Sequence, residues 1–451
     1  MNEWIFIFVY WCKLYKGYSK PILISLNEVT AMFFHEVQVG DSLFTISNRY
    51  GVSIDQIRLV NGLEQTNIVP GQALLIPLYT YIVQPNDTFT SISRKSFLTI
   101  EQLTNANPTV NPDALQPGMI LTIPNISNYY ASTLSFYVTR SPELDRALIS
   151  DFAPYSTFIS MFSYNIASNG DLANTLNDLA AIETTWNFRV RPLATITNLT
   201  PEGFSPELIH QVLNNPTART NLVNNISFLM TNRGYGGVNI DFERLLEEDR
   251  DLYTGFLREL ADRIRPLGRT VTVAVPAKTS EDIPWLRGYD YGGIGSVVDF
   301  MFIMAYDWHH GGSQAGPVAP ITEVRRTVEF ALQNVPRRKI TIGMPLYGYD
   351  WTLPFTPGSV APAISNEVAV ETAMRYQSPI QYSTEFESPF FRYIDQQGRT
   401  HEVWFEDVRS IGAKMLLIHE YGLQGLGAWQ LTLGFTQGPW LLTKFFTIIK
   451  V

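Results

Sequence analysis

The chain is poor in cysteine and in charge. Cys12 is the single cysteine among 451 residues, which excludes an intramolecular disulfide and a cysteine-based zinc site. Charged residues make up 17%, and the 42 acids outnumber the 33 bases, for a net charge of −9. A nucleic-acid partner is thereby excluded, because it would need a basic face that displaces counterions. The six histidines, at positions 35, 210, 309, 310, 401 and 419, never stand in H-E-x-x-H spacing, which removes the zinc metalloproteases. No metal and no cofactor are expected. The apolar run Trp4–Cys12 is nine residues long, whereas a membrane helix needs about 20. Its flanking charges are reversed for a signal peptide: Glu3 precedes the run, and Lys13, Lys16 and Lys20 follow it. We read residues 1–31 as an extension ahead of the first domain, an over-long start or a poorly ordered tail, and expect no integral membrane segment.

Apolar residues are abundant at 45% and aromatic residues at 13%. A chain of this composition buries a large core. The aromatic excess fits that core, and equally a carbohydrate surface, because the apolar faces of sugar rings pack on aromatic rings.

An internal repeat opens the chain. Residues 35–47 read HEVQVGDSLFTIS and residues 81–93 read YIVQPNDTFTSIS, at an offset of 46. Asn61 matches Asn107 at the same offset, and Pro70-Gly71 matches Pro117-Gly118 with one residue inserted. Each copy predicts a short strand (Glu36–Val39, Ile82–Gln84), two helices and a final strand (Ala73–Ile76, Ile120–Ile123). Asp41 and Asp87 are placed to cap the first helix. The repeat resembles the LysM domain, with one module over residues 34–78 and a second over 80–125. That resemblance implies binding of N-acetylglucosamine-containing glycans, between the loop after the first strand and the loop before the last. Asp41 and Asn61 in one copy, and Asp87 and Asn107 in the other, fall in those loops.

From residue 130 to 451 strand-like and helical stretches alternate. Apolar runs fall at Leu134–Val138, Thr157–Tyr164, Arg191–Ile196, Gly237–Phe242, Thr270–Val275, Phe300–Tyr306, Ile340–Leu346 and Gly425–Trp429. Leu245 to Leu267 carries the clearest helical apolar face. Eight such strands with helices between them predict an α/β fold, a (β/α)8 barrel. The stretch from Trp351 to Trp404 is too long for a loop. It predicts a small α+β insertion after the seventh strand, with strands Pro389–Ile394 and His401–Phe405.

The fourth strand reads GGVNIDFE from Gly236 to Glu243. Alternation puts Asn239, Asp241 and Glu243 on one face. Both faces of a parallel barrel strand are buried, so an amide and two carboxylates there are costly unless paired or used. Glu243 falls at the C-terminal end, where barrel enzymes keep their chemistry. The strand resembles the D-G-x-D-x-D-x-E signature of glycoside hydrolase family 18. Met304-Ala305-Tyr306-Asp307 resembles that family's M-x-Y-D, and Gly427-Ala428-Trp429 its floor tryptophan.

The resemblance implies a substrate-assisted retaining mechanism. It makes Glu243 the acid, has Asp241 orient the sugar's acetamido nitrogen and Tyr306 hold the acetamido oxygen, and lays Trp429 under the reacting sugar. Met304 and Asp307 line the same pocket, and Asn239 is placed to hydrogen-bond Asp241. The motif's first and second acids are Gly236 and Asn239 here, which implies retained activity with an altered pH profile. The family's strand-three S-x-G-G is replaced by Ala194-Thr195-Ile196-Thr197-Asn198. His309 and His310, shortly after Asp307, either line the cleft or are plain loop residues.

Paired LysM modules ahead of such a barrel, with no disulfide and no secretion signal, resemble the spore cortex-lytic N-acetylglucosaminidases of endospore-forming bacteria. The resemblance implies peptidoglycan as partner, the spore as location (otherwise cell wall or extracellular) and a role in germination. A chitinase or general autolysin is the first alternative. A non-catalytic glycan-binding coat protein is the second, and the presence of both Asp241 and Glu243 argues against it.

Overall fold

The structure, a computed structural model, describes residues 31–126 and 128–451. The proposed N-terminal extension, apart from Ala31, lies outside the described residues. Both repeats fold as strand–helix–helix–strand. The first consists of β1 (Met32–Glu36), α1 (Leu43–Tyr50), α2 (Ile54–Asn61) and β2 (Ala73–Pro77), with Glu36 opposite Ala73 in an antiparallel pair. The second consists of β3 (Thr80–Ile82), α3 (Phe89–Lys95), α4 (Ile100–Ala106) and β4 (Ile120–Thr122), with Tyr81 opposite Leu121.

Two local expectations change. The opening strands lie a few residues before Glu36–Val39 and Ile82–Gln84, and Asp41 and Asp87 do not cap the helices. Each carboxylate instead closes the turn after its strand, accepting the N–H of Gln38 or of Gln84 at 2.8 Å. The helix N-terminal amides go to the next residue, Ser42 or Thr88, whose hydroxyl accepts from the third helical residue.

The modules pack on each other and on the barrel. Phe33 stacks on Tyr81 with centroids 4.7 Å apart. The buried Arg409 guanidinium joins Asp407 to Glu36 and donates to the Gly71 carbonyl at 3.1 Å. A Cβ at Gly71 would fall 1.7 Å from the Ile380 carbonyl oxygen. Only glycine lets these two backbones approach so closely.

Eight parallel strands form the barrel: β5 (Tyr129–Val138), β6 (Phe158–Asn165), β7 (Arg191–Thr197), β8 (Gly237–Asp241), β9 (Thr270–Pro276), β10 (Phe300–Met304), β11 (Ile340–Pro345) and β12 (Gly425–Trp429). β12 pairs back to β5, with Gly427 opposite Leu134, and closes the sheet. A short strand, Phe446–Ile448, adds to the start of β5. The outward residues Val238 and Ile240 of β8, and Phe242 just beyond it, share a buried cluster with Tyr253, Phe256, Leu257, Leu260 and Ile264 of the helix Arg250–Ile264. The barrel interior is filled by phenylalanines, among them Phe136, Phe158, Phe162, Phe300 and Phe302. Much of the aromatic excess is therefore core.

The insertion after β11 is a five-stranded antiparallel sheet with one helix, Asn366–Arg375. Its strands Ser388–Ile394 and Thr400–Trp404 are the expected pair. It begins earlier than Trp351, because Tyr347–Leu353 is already a strand paired with Thr400–Trp404. Tyr347, Tyr349 and Trp351 alternate with Gly348 and Asp350, which is the period of a strand with one buried face.

Candidate active site

The last turn of β8 presents its side chains to a cleft of about 970 Å³ at the C-terminal mouth of the barrel. Asp241, Glu243, Met304, Tyr306, Asp307 and Trp429 all line it, so the structure brings together six of the seven barrel residues named from the sequence. The seventh, Asn239, sits one layer deeper and is fully buried. Trp429 forms the cleft floor, packed edge-on against Phe162 at 4.8 Å and Phe136 at 5.4 Å. Its indole plane is fixed by the barrel core beneath it.

Glu243 lies two residues beyond the end of the strand, where a chain would ordinarily be free to move. A buried amide holds it. Asn198 Oδ1 accepts the Glu243 N–H at 2.9 Å, and Asn198 Nδ2 donates to the Glu243 carbonyl at 2.8 Å. The same Nδ2 donates to the Ser205 carbonyl at 2.9 Å. Tyr289 adds a bond from its hydroxyl to the Phe242 carbonyl, at 2.9 Å. Asn198 stands where the family's S-x-G-G would end, and nothing local in the sequence marks it as a clamp on a residue 45 positions away.

Three of the carboxyl groups that line the cleft, Asp241, Glu243 and Asp307, are poorly solvated. Burial pushes the proton affinity of Asp241 up to about 7 and that of Asp307 up to about 6. Hydrogen bonds from Tyr347 at 2.7 Å and Tyr349 at 3.2 Å partly offset the effect on Asp307. Glu243 is pushed well above the usual carboxylate range, first by burial, then by the charges of Asp241 and Asp307, with Arg244 opposing. Like charges in a poorly solvated pocket cannot all ionise, so one carboxyl is held as an acid near neutral pH. Tyr306, raised by burial and by the same carboxyls, remains a hydroxyl donor. Asp307 and Arg244 both hold left-handed backbone, at φ 63° and φ 61°. Such conformations in residues other than glycine gather at functional sites.

One reading changes, that of Asn239, and the structure adds detail at other positions. Asn239 does not hydrogen-bond Asp241: its oxygen accepts the Thr272 hydroxyl at 2.7 Å, while Asn239 Nδ2 and Asp241 Oδ1 are left without partners among the described residues. Gly236, in place of the motif's first acid, has a packing reason. A Cβ there would lie 2.3 Å from Arg191 Cγ, and the Arg191 guanidinium is held by Thr270 at 2.6 Å. His310 lines the cleft, whereas His309 is bonded to the Gln314 carbonyl in its own loop at 3.0 Å. Tyr347 and Tyr349, which orient Asp307, come from the insertion and were not identified from the sequence, although their alternation was readable.

The polar residues named in the two modules serve the modules themselves. Asp41 is taken by His35 at 2.9 Å and Arg49 at 3.2 Å, and Asp87 by Tyr81 at 2.5 Å. Asn61 bonds both backbone groups of Leu75, and Asn107 both backbone groups of Thr122. These amides tie the second helix to the last strand and have little capacity left for a sugar. Gln437 of the barrel also donates to Asn61 Oδ1 at 2.7 Å, and Thr436 packs on Gly62, so this loop of the first module faces the barrel.

A closed (β/α)8 barrel with a half-buried acid, a neighbouring carboxylate and a tryptophan floor at its C-terminal mouth is the architecture of a barrel glycosidase. The comparisons with known proteins agree. The model of Glycosyl hydrolases family 18 matches residues 129–434, and the LysM domain matches 35–77 and 81–124. The chain belongs to Glycosyl hydrolases family 18 and is a glycosidase with two glycan-binding LysM modules.

Among its relatives is the Bacillus subtilis protein YdhD, named as a sporulation-specific glycosylase. It is 70% identical over 420 residues, covering 93% of this chain and all 100% of that protein. The cortical fragment-lytic enzyme of Bacillus anthracis is 32% identical over 423 residues, 92% of this chain and 98% of the relative. The crystal structure of the Bacillus cereus spore cortex-lytic enzyme SleL superposes with a TM-score of 0.85 at 31% identity, covering 93% of this chain and 99% of that one. Among the described residues no helix is long and apolar enough to cross a membrane.

Proposed function

We propose that this glycosidase hydrolyses N-acetylglucosaminyl linkages of spore cortex peptidoglycan during germination, by a substrate-assisted retaining mechanism. Three relatives named for sporulation or cortex lysis, each aligned over almost the whole chain, support the substrate. The observation that carries the mechanism is the pairing of an acid kept protonated, Glu243, with an aspartate whose Oδ1 has no partner among the described residues.

In the reaction the carboxyl proton of Glu243 passes to the glycosidic oxygen, and the bond from that oxygen to the anomeric carbon breaks. The sugar's own acetamido oxygen bonds to the anomeric carbon from the other face and forms an oxazolinium ion. Asp241 Oδ1 accepts the acetamido N–H and balances the positive charge. The Tyr306 hydroxyl donates to the acetamido oxygen, and Trp429 supports the ring from below. Water then attacks the anomeric carbon, Glu243 takes the water's proton, and the oxazolinium opens with retained configuration. Exclusion of water by the aromatic walls strengthens each of these charge interactions.

The test is Glu243→Gln assayed by reducing-end release from cortical fragments, chitin oligomers and vegetative walls. Wild type is expected to prefer cortical fragments, and the variant to lose at least about 10³-fold while still binding them. A variant that digests cortical fragments at the wild-type rate would refute the mechanism. Wild type that prefers chitin or vegetative walls would make this a chitinase or general autolysin, and wild type inactive on all three would make it a lectin.

A further inference from the structure

Arg244 follows the acid directly and sits in left-handed backbone at φ 61°. That region suits glycine and strains a side chain with a Cβ. The conformation cannot relax, because Asn198 holds the Glu243 peptide on both sides. The side chain is exposed and lines the cleft. Its guanidinium makes no hydrogen bond and no ion pair among the described residues, and it feels the more distant carboxylates of Glu243 and Glu207 only through space. Glu247, also on the cleft wall, is already paired with Arg287 at 3.3 Å. A strained position therefore carries an unpaired cation beside the bond to be cut. A glycine there would fold more easily, so the side chain itself is what the site uses.

In a strand of alternating N-acetylglucosamine and N-acetylmuramic acid, both neighbours of a reacting N-acetylglucosamine are muramic acids. Each carries a lactyl arm that ends in a carboxylate, its own where the peptide stem has been removed and the stem's where it remains, which chitin lacks. We propose that Arg244 is a specificity residue: its guanidinium takes the carboxylate of the muramic acid flanking the reacting sugar, and so favours anionic peptidoglycan strands over neutral chitin. This rests on the reading above that the enzyme cuts N-acetylglucosaminyl bonds of peptidoglycan. Where the flanking muramic acid has closed to its lactam, the carboxylate is gone and so is the preference.

The experiment compares kcat/KM on a peptidoglycan tetrasaccharide with free lactyl carboxylates and on chitotetraose, for wild type, Arg244→Gly and Arg244→Lys. Arg244 also biases the proton on Glu243, so absolute rates shift on both substrates, and the ratio of the two cancels that effect. Arg244→Gly should lower the anionic-to-neutral ratio about tenfold, the loss of one charge-assisted hydrogen bond. Arg244→Lys should keep part of the preference, and the wild-type preference should shrink as salt rises. The Tm of Arg244→Gly should equal or exceed that of wild type, since glycine relieves the strain. A ratio within twofold of wild type in Arg244→Gly would overturn the proposal while leaving the cleavage reaction intact. Wild type that cuts neither tetrasaccharide would overturn the proposed function, and this inference with it.

Discussion

Asn198→Ala tests whether the acid is aimed from a neighbouring strand. The substitution removes three hydrogen bonds, to the N–H and carbonyl of Glu243 and to the carbonyl of Ser205. At about 1 kcal/mol each, in a fully buried place where water cannot substitute, the loss is about 3 kcal/mol. In a barrel of this size that lowers Tm by roughly 4–5 °C. The catalytic effect has a different origin. With the peptide released, Arg244 can leave its strained conformation and carry Glu243 with it, and a displacement of about 1 Å at a reacting group costs about 10²-fold. Trp429 and Tyr306 are untouched, so the loss should fall on kcat and leave KM nearly unchanged. The assay is steady-state hydrolysis of a soluble cortical oligosaccharide, well below the variant's melting range. Asn198→Asp sharpens it. A carboxylate accepts from the Glu243 N–H but cannot donate to either carbonyl, and its charge raises the proton affinity of Glu243 further, so the alkaline limb of the pH profile should move up. Stability that falls while kcat stays within threefold of wild type would refute the argument: the amide would then support the fold without aiming the acid.

Two further predictions concern charge. Asp241, pushed up to about 7, and Asp307, pushed up to about 6, both hold protons in the folded state that the unfolded chain has released. Their contribution to stability is greatest below about pH 4 and is lost as pH rises to about 7. The difference in Tm between Asp241→Asn and wild type should therefore grow in favour of the variant across that window, and a constant difference would contradict the burial argument. Arg409→Ala leaves the buried Asp407 carboxylate unpaired and cuts the first module's link to the barrel. It should cost about 3 kcal/mol and speed limited proteolysis between the second module and β5, with hydrolysis of a soluble oligosaccharide retained. Proteolysis at the wild-type rate would show that Phe97 against Phe445 and the Gly71–Ile380 approach hold the modules without it.

Much of the site was readable because its logic is local. A two-residue period places Asn239, Asp241 and Glu243 on one face of β8 whatever surrounds it, and a polar face on an otherwise apolar barrel strand is conspicuous. Tyr306 and Trp429 lie at ends of strands that the apolar runs locate. What the local pattern left open is the partner that each side chain meets in the folded module. Asp41 and Asp87 look like helix caps until His35 and Tyr81 take their oxygens. Asn61 and Asn107 look like glycan contacts until the last strand of each module takes their amides.

The sequence alone therefore determined the order of strands and helices, the repeat, and which carboxylates share a face, because hydrophobic period and turn chemistry act over a few residues. Only the tertiary structure decided that Asn198 holds the Glu243 peptide in place and that Tyr347 and Tyr349 from the insertion orient Asp307. Each of these requires groups from separate strands to meet in a volume without water, and closure of the barrel is what creates that volume.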